Sequence, residues 1–138
     1  MSENSTGRTC MREITVRRKR ALAGILMPYW IIVWDRPKTE FMEQHGITGD
    51  HGKMDPLGWP ESRITIEALD NAGIRISSGG EVKIAVPETA CEVFVSTMDG
   101  NLSNAVSVRE LAGCDLLITT RGGLKEPSYP QLETVPGI

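Results

Sequence analysis

From Ile74 onward, apolar side chains fall at every second position in one short run after another. Ile74 and Ile76 alternate with polar neighbours, and Ser77-Ser78-Gly79-Gly80 then turns the chain. Val82, Ile84 and Val86 share one side against Glu81, Lys83 and Ala85, up to a second turn at Pro87-Glu88-Thr89. Cys91, Val93 and Val95 alternate with Glu92, Phe94 and Ser96. Asp99-Gly100-Asn101 turns again, and further runs at 105–108 and 114–120 are separated by Ala112-Gly113. A period of two is the signature of a strand with one buried face, and each join carries Gly, Pro, Asn or Asp. The pattern predicts an antiparallel meander supplying one face to a shared core.

The first half is less regular. Ile14 and Val16 mark a half-buried strand over 13–17, and Arg17-Arg18-Lys19-Arg20 reads as its solvated end, where charge discourages edge-to-edge pairing. Residues 29–34 (YWIIVW) are all β-branched or aromatic and apolar on both faces, which predicts a central strand or one covered by another segment. Pro28 and Arg36-Pro37 bound it. Arg63 to Leu69 (RITIEAL) would suit either a strand or a short capped helix ending near Gly73. Ile-Thr-Ile is a poor helix opening, so the strand is preferred. Over 38–61 the period dissolves into Gly, Asp, His and Pro. This predicts a long insertion across the surface, anchored by Phe41, Met42, Leu57 and Trp59. Residues 1–11 read as a flexible N-terminus and 121–138, with three prolines, as an irregular tail. The expected fold is all-β: one domain over 1–138, an antiparallel β-sandwich of about seven to eight strands with a long loop insertion.

Composition narrows the function classes. With 138 residues, 40% hydrophobic and 24% charged, the chain has the balance of a folded protein with a modest core. The net charge of −3 divides into a basic first twenty residues and an acidic remainder. An acidic body lacks the face that nucleic-acid binding needs. The apolar run 21–34 is interrupted by Pro28 and too short for a membrane span. Cys10, Cys91 and Cys114 are odd in number and form no C-x-x-C, so neither a disulfide framework nor a zinc finger is expected, and free thiols suit a cytoplasmic protein.

The order of these pieces resembles small bacterial β-sandwich domains of the PEGA and carboxypeptidase-regulatory type. Ile14-Thr15-Val16, Trp30 to Asp35, Gly80-Glu81, Val86-Pro87, Glu92 to Ser96, Ser103-Asn104 and Asp115 to Thr119 carry the resemblance, which covers about residues 13–35 and 73–120. The glycine usual after the proline turn is replaced, since Pro87-Glu88-Thr89-Ala90 stands there. The resemblance implies an accessory or ligand-presenting module and carries no catalytic residue with it.

Two imidazoles and two carboxylates cluster at His45, Asp50, His51 and Asp55, the pattern from which a divalent metal site of His45, Asp50 and His51 would be built. No other cofactor is signalled: there is no phosphate loop, no G-x-G-x-x-G and no G-x-S-x-G. Tyr29, Trp30 and Trp34 could form a sugar-stacking platform but suit a core better. Phe41 and Trp59, in the insertion, are the candidate partner-binding residues. The regular strands are accounted for by packing alone, which favours a non-catalytic interaction or ligand-presenting module acting on a protein partner or through self-association. The alternatives are a metal-binding protein or metal-dependent enzyme using the histidine loop, and an oligomeric structural protein.

Overall fold

The computed structural model describes residues 11–21, 27–47, 64–87, 89–90, 92–98, 100–111, 113–121 and 129–136. Eight strands, two short α-helices and one 3-10 turn lie among them. Strands β1 (Met11–Arg18), β4 (Glu81–Pro87), β7 (Cys114–Arg121) and β8 (Tyr129–Pro136) form sheet A in the order β4-β1-β7-β8. Strands β2 (Tyr29–Trp34), β3 (Gly73–Ile76), β5 (Glu92–Ser96) and β6 (Val106–Ser107) form sheet B in the order β3-β2-β5-β6. The fold is the expected all-β sandwich. It is not a meander, because the turns at 77–80 and 87–90 carry the chain from one sheet to the other. Period two records which face is buried and says nothing about which strand is the neighbour.

Between the sheets lies the main core. Ile14, Val16, Ile84, Val86, Leu116, Ile118 and Leu132 come from sheet A, and Tyr29, Ile31, Ile76, Val93 and Val95 from sheet B. Val82, Ile84 and Val86 point inward as expected, with Glu81, Lys83 and Ala85 exposed. Strand β2 is central and covered on both faces. Its other side, with Phe94 of β5, packs under the helices in a second cluster of Trp30, Ile32, Phe41, Ile47, Leu69 and Leu102.

Two segments depart from the sequence reading. Helix α1 (Lys38–Gln44) starts the stretch expected to be an unpatterned loop. It buries Phe41 and ends where Gly46 (φ 67°) turns left-handed, with Gly46 N–H donating to Glu43 O (3.4 Å) and Ile47 N–H to Met42 O (2.8 Å). That is a Schellman ending, sealed by Ile47 and Met42 in the second cluster. Helix α2 (Ile66–Ala72) replaces the strand expected at 63–69. Thr65 Oγ1 accepts from Ala68 N–H (3.1 Å), and Ile64 before the cap shares the second cluster with Leu69, one turn in. Ile64 and Ile66 therefore do not share a face; Ile66 is left 43% exposed. Immediately after α2, Gly73 crosses so close to β2 that a Cβ there would stand 2.6 Å from Ile31 O.

Within the stretch expected to be an irregular tail, residues 129–136 form β8 and pair with β7 along its whole length. Leu132 N–H and C=O point away from β7 and are taken by one side chain: Asn104 Oδ1 accepts at 2.9 Å and Asn104 Nδ2 donates at 3.1 Å. Pro130 and Pro136, in step with Leu132, have no N–H to offer on that edge.

Candidate functional site

Helices cover the outer face of sheet B; among the described residues no helix or strand lies over the outer face of sheet A. The alternation that buries Ile14 and Val16 sends Glu13, Thr15 and Arg17 outward, beside Glu81 and Lys83 of β4. Strand β1 pairs with β4 in antiparallel register along residues 11–17, but its pairing with β7 is parallel and begins only at Val16 opposite Leu116. Upstream of that point the two strands diverge. Asp115 spans the opening, its Oδ1 accepting from Thr15 N–H at 3.0 Å, which satisfies one backbone donor where the ladder has not yet formed.

The divergence leaves a groove of about 640 Å³, open to solvent. Arg12, Glu13 and Thr15 form one wall, Glu81 and Lys83 the rim, and Leu111, Gly113 and Cys114 the far side. Arg17 donates to Glu81 at 2.9 Å across the rim, so that pair is held, while Lys83 and Glu13 make no ion pair among the described residues. Arg12 Nη1 is buried in the wall without a hydrogen-bond partner. A smaller, more apolar depression of about 220 Å³, bounded by Leu116, Leu117, Val135 and Pro136, adjoins it through Arg17 and Asp115. Together they offer a cationic and an anionic contact beside an apolar step, an arrangement suited to holding an extended polar ligand or peptide.

The sequence-predicted sites fall elsewhere. His45 caps the C-terminus of α1, half-buried, with its ring 4.4 Å from that of Phe41. Burial lowers its pKa and so favours the neutral imidazole. Asp50, His51, Asp55, Leu57 and Trp59 lie outside the described residues. No group of three or more His, Cys, Asp or Glu side chains able to hold a metal occurs among the described residues. Phe41 does not present a partner surface. It is fully buried, edge-on to Trp34 (5.1 Å) and Phe94 (5.2 Å), and so serves as the anchor of the insertion. Tyr29 and Trp30 are core residues, and Trp34 is half-buried.

The basic run also reads differently in three dimensions. Strand β1 is not an edge, because β4 and β7 flank it. Arg18 continues the inward parity of Ile14 and Val16 and is 2% exposed. Its guanidinium stacks 3.6 Å from the Tyr29 ring centroid and donates to Met27 O (2.7 Å) and Ile76 O (3.0 Å). Burial lowers its pKa, and Tyr29 opposes that shift. On the helical side, Asp70 receives two bonds from Arg75 (both 2.8 Å) and one from Trp30 Nε1 (2.8 Å), which tie α2 to β2 and β3.

The sequence carries one sign of the groove: Asp115 is a lone carboxylate at the start of an apolar strand. No helix of the described residues is long and apolar enough to cross a membrane. Comparison with family models, with curated proteins and with solved structures finds no match to this chain.

Proposed function

We propose that the protein is a non-catalytic interaction module that holds a ligand or protein partner on the outer face of sheet A. The observation that carries this is the opening between β1 and β7, a groove of about 640 Å³ on the sheet face that no described element covers. Its polar groups are fixed by backbone pairing on rigid strands, which is how binding surfaces avoid an ordering cost. The resemblance to PEGA and carboxypeptidase-regulatory modules points the same way, and a cytoplasmic setting belongs to the same proposal.

The test compares partner recovery by three folded proteins: wild type, a Glu13→Lys, Thr15→Arg double variant, and a variant with residues 48–63 replaced by a Gly-Ser linker. Loss of a stoichiometric partner in the double variant alone supports the groove. Loss only in the linker variant moves the site to the insertion.

A second reading rests on His45. Burial shifts its imidazole towards the neutral form, the state in which it ligates metal. In this reading His45, Asp50 and His51 hold a divalent ion. Metal analysis of untagged protein, repeated on His45→Ala and His51→Ala, checks it: unchanged metal content in both variants rules it out.

A further inference from the structure

The four sheet edges are not equally protected. Strand β3 has four residues and β6 two, too short to template an added strand. On β8 the outward positions are Pro130, Leu132, Thr134 and Pro136. Two of these lack an N–H, and the Asn104 amide occupies both groups of Leu132. Strand β4 carries such a device only at its far end, where Pro87 lacks an outward N–H; from Glu81 to Ala85 there is none. Arg18 N–H donates to Gly80 O at 2.9 Å, so the even residues of β4 bond to β1, and the amides and carbonyls of Glu81, Lys83 and Ala85 point away from the sheet. All three residues are exposed, and no strand lies beyond them among the described residues.

A lone lysine in the middle of an edge strand usually repels a second strand. Here Glu81 stands two residues before Lys83, and the spacing makes the edge complementary to itself. We propose that β4 is the dimerisation edge of this protein. Two copies pair antiparallel about a two-fold axis through Val82, so that Glu81 of each copy lies opposite Lys83 of the other. In this register the outward backbone groups of residues 81 and 83 bond across the axis, and both cross-strand pairs are of opposite charge. Shifting the register by two residues would place Lys83 against its own equivalent, so charge selects the first alignment. Arg17, already bonded to Glu81 at 2.9 Å, then makes that carboxylate the centre of a three-charge array. The paired sheets A become one eight-stranded sheet. The inference is independent of whether the groove binds a ligand.

The test is a charge exchange followed by sedimentation or light scattering over a wide concentration series. Glu81→Lys gives an edge with two lysines and Lys83→Glu an edge with two glutamates; each alone is expected to weaken self-association at least about tenfold, because every cross-strand pair becomes repulsive. Mixing the two variants restores opposite charges at both positions and is expected to recover a heterodimer. A wild type that stays monomeric throughout overturns the proposal. So do single variants that dimerise as tightly as wild type, and so does a mixture that fails to associate.

Discussion

The Asn104 side chain forms, with Leu132, the pair of hydrogen bonds that a neighbouring strand would make: Leu132 N–H to Oδ1 at 2.9 Å and Nδ2–H to Leu132 O at 3.1 Å. It joins the loop between β5 and β6 to the free edge of sheet A. Asn104→Ala is expected to cost about 1–3 kcal/mol, the net worth of two part-buried bonds, read from urea denaturation. Asn104→Asp keeps the acceptor but sets a carboxylate against the Leu132 carbonyl. Its deficit is expected to shrink on acidification, when a protonated carboxyl can donate again.

Arg18 is a cation in the core, held by the Tyr29 ring and two backbone carbonyls. Arg18→Ala leaves Met27 O and Ile76 O without this donor and opens a void over Tyr29, an expected loss of about 2–5 kcal/mol. Arg18→Lys keeps the charge but not the flat face that stacks on the ring, so its denaturation midpoint should fall between the two.

Asp70 sets an acid limit on the helical layer. Bonds from Arg75 and Trp30 hold its pKa at about 2, below the ordinary 3.8. The folded state therefore binds this proton less readily than the unfolded chain. The stabilisation is complete above 3.8 and is lost as the pH falls through that value towards about 2. Asp70→Asn removes the titration. Its thermal midpoint should decline less steeply than wild type across that window, and parallel curves would show that Asp70 contributes nothing to acid sensitivity.

Phe41 separates an anchor from a contact residue. As the fully buried side chain of α1, its replacement by alanine is expected to cost about 3–5 kcal/mol. A surface contact residue would change stability by no more than about 0.5 kcal/mol.

These residues show what was legible in the chain. The buried positions of β1 and β4 follow from alternation, and the two-sided apolar pattern of YWIIVW requires the cover that α1 and α2 provide. Helix α2 was hidden because Ile64 and Ile66 mimic a strand, and only the Thr65 cap and the Ile64–Leu69 contact separate the two readings. Helix α1 was hidden by its length: seven residues hold barely two turns and bury Phe41 alone. Strand β8 was masked by Pro130 and Pro136, which argue against a central strand and are compatible with an edge. Arg18 broke the rule that a charged run is solvated, although its parity with Val16 placed it inward. The groove depends on where two strands part, and Asp115 is the one local sign of it in either strand.

The parallel ladder between β1 and β7 joins Val16 to Leu116 across most of the chain. During synthesis the first strand can meet its antiparallel partner β4 once residues 81–87 have emerged, but its opposite flank stays open until residues 114–121 have left the ribosome. Contacts of such long sequence separation form slowly. The segments of sheet B all lie between residues 29 and 107, so that layer is complete sooner. A ribosome stalled before β7 should display a protected sheet B beside a first strand that proteases can still cut.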